Sequence, residues 1–201
     1  SGEIGSFDTP AEVGFALPRK NSGVVLGHAS GATLREIDGT ENPLPSWLEA
    51  ESGPLAIPVR WNDAKVAPNG ELFAGTMAFD GAKDAGSLYK FSKDGKTITK
   101  LLAPVSISNA LDWTPDRTTF YYVDTLTMQL DKFDYADSGI TNRRTLVKFE
   151  ESDGMPDGGC SDSEGGMWIG FWGGSHIRRY DSAGKKTHEI KLPVKNITSC
   201  A

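Results

Sequence analysis

A short strand-like segment returns along this chain at a nearly constant interval, and that interval restricts the fold more than any other feature. The segments are GVVLG at Gly23–Gly27, ELFAG at Glu71–Gly75, TFYYV at Thr119–Val123 and GMWIG at Gly166–Gly170. They are β-branched or aromatic, too short for helices, and bounded by Gly, Asn or Asp. With Val25, Phe73, Tyr121 and Trp168 taken as equivalent, the steps are 48, 48 and 47. A turn signal precedes each one: Lys20-Asn21-Ser22-Gly23, Pro68-Asn69-Gly70, Pro115-Asp116-Arg117 and Asp162-Ser163-Glu164-Gly165. Strand–turn–strand units follow in the last three repeats, at Ser87–Phe91, Leu130–Tyr135 and His176–Tyr180, each leading into an Asp-containing turn. A repeat of this length with about four strands predicts an all-β chain built of propeller blades, four of them in a single domain over residues 1–201. An unrelated β-sandwich would show strands every 8–12 residues without the long period. One stretch, Ser46–Ser52, could form a single capped turn of helix; it reads better as a loop.

Composition removes several functional classes. The net charge is -6, so the chain lacks the basic face that nucleic acid requires. No apolar run approaches the ~18 residues of a membrane span, and Ser1–Pro10 lacks the charged and apolar regions of a signal peptide. The two cysteines, Cys160 and Cys200, are too few for a disulfide scaffold and read as reduced thiols. These features together predict a cytoplasmic protein with neither membrane nor nucleic acid as partner.

In a propeller the first strand of each blade lines the central channel, so equivalent positions of successive blades face one another. Asn62, Asn109 and Asp157 stand 47 and 48 residues apart, at the start of three such strands. Their two amide oxygens and one carboxylate are hard donors suited to a divalent cation. Asn and Asp also cap turns between strands, and sequence alone leaves both readings open.

At these same residues the chain resembles the regucalcin-like sugar lactonases, the senescence-marker-protein/gluconolactonase family. Arg60-Trp61-Asn62-Asp63-Ala64-Lys65-Val66, followed by Phe73-Ala74-Gly75-Thr76-Met77, is similar to the family's RxNDxK…GTM signature. Ile107–Trp113 resembles its ISNGLxW segment, Phe120–Thr125 its strand ending in D(S/T), Pro156-Asp157-Gly158 its PDG, and Gly166-Met167-Trp168 its G(x)LW strand. The resemblance covers about residues 8–201. It implies a six-bladed propeller with one divalent metal ion (Ca, Zn, Mn or Mg) at the channel mouth, and hydrolysis of a sugar lactone in which a metal-activated water opens the ring ester. Asn109 and Asp157 would be metal ligands, with Asp157 also the general base. Arg60, Asn62 and Asp80 would bind substrate, although the family often has the longer Glu where this chain has Asp80. A non-catalytic, metal-binding or partner-binding propeller is the alternative.

The family draws a further Glu ligand from an EGPxW-like strand. Glu51-Ser52-Gly53-Pro54 resembles it but lies in the wrong blade and is not assigned, so that Glu is expected upstream of Ser1. Four repeats against six predict a propeller truncated at both ends, folded locally, and catalytically poor by itself.

Other motifs carry less. His28, His176 and His188 lack zinc spacing and read as structural or exposed. Cys160 lies three residues after Asp157 but reads as a small packed thiol. Glu150-Glu151-Ser152-Asp153 lacks EF-hand spacing and reads as a solvated loop. Asn196-Ile197-Thr198 is a formal glycosylation sequon placed where an inner strand should begin.

Overall fold

The computed structural model describes residues 6–201 apart from 21, 52 and 54. The first predicted turn therefore loses Asn21 from view, and the Ser46–Ser52 and Glu51–Pro54 stretches are described only in part. The chain folds into four four-stranded antiparallel sheets, each made of strands consecutive in sequence. The first contains β1 (Val13–Pro18), β2 (Val24–His28), β3 (Gly31–Arg35) and β4 (Glu41–Pro43). The second contains β5 (Val59–Val66), β6 (Leu72–Ala78), β7 (Gly86–Phe91) and β8 (Ile98–Val105). The third contains β9 (Ser108–Trp113), β10 (Thr119–Asp124), β11 (Gln129–Ala136) and β12 (Gly139–Lys148). The fourth contains β13 (Met155–Ser161), β14 (Met167–Trp172), β15 (His176–Tyr180) and β16 (Lys186–Lys191). These are the blades of a propeller, and the recurring segments of the sequence are their second strands β2, β6, β10 and β14.

The repeat holds because each blade buries its faces against its neighbours. Trp61 of β5 is fully buried and meets Phe15 of β1, Trp47 and Tyr89 edge-on, with ring centroids 6.1, 5.1 and 5.7 Å away. Phe73, Trp113 and Phe120 do the same between the second and third blades. Tyr121, Met167, Ile169 and Phe171 fill the space between the third and fourth. Truncating a side chain such as Trp61 to Ala would cost about 3–5 kcal/mol in transfer and cavity terms. Burial declines outward: β9 is almost wholly buried, whereas every residue of β16 is exposed. Lysines on that outer strand discourage edge-to-edge pairing.

Tight turns join each inner strand to the second strand of its blade. Gly23, Gly70 and Gly165 take positive φ there, and in the third blade Arg117 takes φ 61 at the corresponding place. One sequence expectation is corrected here. Trp47–Ala50 is a 3-10 helix, because Ser46 and Glu49 form a reciprocal capping box that satisfies its first amides. Glu151–Asp153 is likewise a 3-10 turn, held by the Asp153–Arg178 ion pair at 2.6 Å. Among the described residues no helix is long and apolar enough to cross a membrane.

Candidate active site

The inner strands β1, β5, β9 and β13 share one irregularity. In each, the pairing with the second strand slips near the same end. Asn62 and Asp63 lie between the paired residues Trp61 and Ala64, opposite Gly75 alone. Ala110 and Leu111 lie between Asn109 and Asp112, opposite Tyr122. Asp157 and Gly158 lie between Pro156 and Gly159, opposite Gly170. Gly14 is the extra residue in β1. A bulge bends its strand and re-aims side chains that would otherwise enter a sheet face. The bulges of β5 and β13 bring Asn62, Asp63 and Asp157 to one end of the channel; in β9 the paired Asn109 faces that end and the bulged Ala110 and Leu111 enter the core.

There they surround a cavity of about 500 Å³, whose wall includes Arg60, Asn62, Asp63, Asn109, Thr125 and Asp157. Four of the five residues expected from sequence to bind metal or substrate are brought together in this way. Asp80 is not. It is exposed, and its Oδ1 accepts the Ala82 amide at 2.9 Å within its own loop. The unassigned Glu51 is also elsewhere, accepting from Tyr89 and paired with Lys100.

The polar groups are aligned by bonds that cross blade boundaries. Asn62 Nδ2 donates to Ser108 O at 2.9 Å and to Asn109 Oδ1 at 3.2 Å. Asn109 is 4% exposed, and its Nδ2 donates to Thr125 Oγ1 at 2.9 Å. Thr125 in turn donates to Pro156 O at 2.8 Å, next to Asp157. With its amide nitrogen engaged, Asn109 keeps on its oxygen one lone pair beyond the bond from Asn62. Arg60 Nη1 donates to Trp61 O at 2.9 Å and Asn62 Oδ1 at 3.2 Å, and makes no ion pair among the described residues. Its remaining N–H groups are uncommitted, unlike those of an arginine at a blade edge.

Two carboxylates stand in this wall. Burial pushes Asp157 up to about 7; the Gly158 amide, 3.0 Å away, opposes the shift and the charge of Asp63 adds to it. Burial likewise pushes Asp63 up to about 6, against the amides of Ala64, Ala110 and Leu111 and the charge of Lys65. Asp63 accepts the Ala64 amide at 2.8 Å and faces the amides of the β9 bulge. Asp63, Thr125 and an apolar side of the cavity made by Met77, Ile107, Met155 and Trp172 were not assigned roles from sequence. Asp63 and Thr125 both lie inside the conserved-looking segments quoted above, so adjacency to Asn62 and to the DT pair was the available signal. Nothing in the sequence marked Trp172.

The donor set suits a hard divalent cation. Asn109 Oδ1 and the Asp157 carboxylate converge on the cavity, and Asp157 has no ion-pair partner among the described residues. A buried carboxylate with its pKa raised by confinement and a like charge is relieved by a cation. No cluster of three or more His, Cys, Asp or Glu residues occurs among the described residues, so a site here would lean on amide oxygens. His28 and His176 are buried, and His188 is exposed on β16; none lines the cavity. The backbone of Asn196 bridges to that of Trp172.

The family described as the SMP-30/Gluconolactonase/LRE-like region matches the chain over residues 1–201. Regucalcin of Danio rerio is 36% identical over 203 residues, covering 98% of this chain and 67% of that protein. Among solved structures, luciferin-regenerating enzyme superposes with a TM-score of 0.84 at 27% identity, over 95% of this chain and 66% of that one. The calcium-binding protein regucalcin of Agrobacterium tumefaciens gives 0.82 at 28% identity, over 94% and 63%. The chain thus spans about two thirds of the length of these relatives.

Proposed function

The chain belongs to the SMP-30/gluconolactonase family, and from that premise we propose that its channel-mouth site hydrolyses sugar lactones with the help of one divalent metal ion. The convergence of Asn109 and Asp157 across a blade boundary, beside an uncommitted Arg60, carries this reading. Asn109 and Asp157 would hold the ion. A divalent ion there supplies Lewis acidity toward the lactone carbonyl.

The protein's own groups supply the rest. Arg60 and Asn62 bind the carbonyl and ring hydroxyls and fix the orientation of the ester. Asp157, in its ionised form, takes a proton from the attacking water as the new C–O bond forms. Arg60 offers donors to the oxyanion that develops. Collapse breaks the bond to the ring oxygen, which recovers a proton from the Asp157 carboxyl, and the open-chain hydroxy acid leaves. General base catalysis of this kind contributes roughly 10²–10⁴-fold.

The experiment is hydrolysis of glucono-δ-lactone followed by acid release, with and without a chelator, in the parent protein and Asp157→Asn. Turnover that both treatments abolish supports the reading. Tight calcium binding without any turnover supports instead a non-catalytic calcium-binding propeller.

A further inference from the structure

Three residues beyond each site position on the inner strands lies a second tier of the channel. Lys65 follows Asn62, Asp112 follows Asn109 and Cys160 follows Asp157 at this interval. Lys65 and Asp112 are paired at 3.1 Å, and Asp112 also accepts the Ser161 amide at 2.9 Å. Cys160 has a different partner. The Gly158 amide donates to Thr198 O at 2.8 Å, so residues 196–200 run alongside β13. A Cβ built on Gly158 would meet Ser199 Oγ at 2.8 Å, which shows how closely the two backbones approach. Two residues further along both segments stand Cys160 and Cys200, so the close approach of the two backbones makes their thiols neighbours, and the charge of Cys160 bears on the Cys200 thiol. Both cysteines are free and only partly buried.

We propose that Cys160 and Cys200 form a reversible oxidative modification site, a dithiol that closes to an intrachain disulfide on meeting a small-molecule disulfide of the glutathione type. The chemistry is two successive exchanges. The Cys160 sulfur attacks one sulfur of the oxidant, forming a mixed disulfide and expelling the first small thiolate. The Cys200 sulfur then attacks Cys160 Sγ, forming the protein disulfide and expelling the second. The two thiol protons go to the departing thiolates, so the protein loses two electrons and two protons and the oxidant is reduced to two thiols. Cys160 is the entry point because burial and the neighbouring sulfur hold the Cys200 thiol protonated, at about 12. The charge of Lys65 acts in the opposite sense on Cys200 and assists the second step. The product would tie the strand carrying Asp157 to the segment carrying Thr198 and Ser199, which line the same cavity. This inference is independent of the lactonase reading.

The test exposes the folded protein to glutathione disulfide without denaturant, blocks free thiols and maps the peptides by mass spectrometry. The expected result is a peptide pair joined at Cys160–Cys200, reversed by dithiothreitol. Closing a loop of about 40 residues should raise Tm by on the order of 10 °C. Cys200→Ser should accumulate one glutathione on Cys160. Full alkylation of both cysteines after exposure, or separate glutathione adducts on both, would overturn the proposal. So would glutathionylation of Cys200 in Cys160→Ser with none of Cys160 in Cys200→Ser.

Discussion

Asn109 Nδ2 donates to Thr125 Oγ1 at 2.9 Å, and this bond, the shorter of the two on the Asn109 amide, turns its oxygen toward Asn62 and the channel. Thr125 is itself fixed because its hydroxyl proton goes to Pro156 O. Thr125→Val keeps the shape, removes the acceptor and frees the amide to rotate. Outer partners of this kind are worth about 10–100-fold in metal affinity. Titration calorimetry with Ca²⁺ or Mn²⁺ should show that loss, with the circular dichroism spectrum unchanged. Unaltered affinity would remove Thr125 from the site.

Asp157→Asn should separate function from stability. The amide retains an acceptor for Gly158 N–H but can neither ionise nor serve as base. Lactone turnover should fall by about 10²-fold or more. Above pH 7, without divalent ions, the variant should melt at or above the parent temperature, since a confined charge has been removed. A variant that is both active and less stable would contradict both assignments.

The raised carboxyls give stability a pH dependence of definite sign. Asp157 at about 7 and Asp63 at about 6 both hold protons more tightly folded than unfolded. Their contribution is complete below the unfolded carboxyl pKa near 4 and is lost as pH rises through 6 and 7. Each unit of upward shift corresponds to about 1.4 kcal/mol. Thermal melts in chelator should therefore show a higher Tm at pH 5 than at pH 8, with the difference reduced by added Ca²⁺. A flat or rising profile in chelator would show that these groups are not confined as described.

Trp172 is 45% exposed and forms part of the apolar side of the cavity with Met77, Ile107 and Met155. An indole there offers a face for the C–H side of a sugar ring. Trp172→Ala should raise KM for a lactone several-fold and leave kcat nearly unchanged, the pattern of lost uniform binding. A fall in kcat alone would place the indole nearer the reacting atoms.

Gly75 stands opposite the Asn62–Asp63 bulge, and a Cβ there would collide with the side chain of buried Ser108. Ser108 O also receives Asn62. Gly75→Ala should destabilise by about 1–3 kcal/mol and reduce metal affinity through the displaced start of β9. Denaturant melts read the first effect and calorimetry the second.

The blades were legible in the sequence because their strands are short, rich in β-branched and aromatic residues and evenly spaced, with Phe73 and Tyr121 buried at equivalent places. Asn62, Asn109 and Asp157 were legible for the same reason: periodicity alone put them at one depth. Asp63 was not, since its raised pKa comes from burial between blades, beside amides some 47 residues distant in sequence. Asp80 stands apart from the other four because a position in a pattern fixes a backbone location, while its side chain closes on Ala82 in its own loop. The capped turn at Ser46 ranked below a loop because four residues of helix have no periodicity to detect.

The aligned bulges have a further consequence. A residue pushed out of the ladder is no longer bound to one sheet face: Asn62, Asp63 and Asp157 reach the channel, whereas Ala110 and Leu111 are buried in the core. The extra pairs here are Asn62-Asp63, Ala110-Leu111 and Asp157-Gly158, with Gly14 alone in β1. Duplicating one blade copies the socket without dictating what fills it. A propeller of this kind can therefore exchange ligands and reactive groups one blade at a time, while Trp61, Phe73 and Tyr121 continue to hold the ring's wedges together.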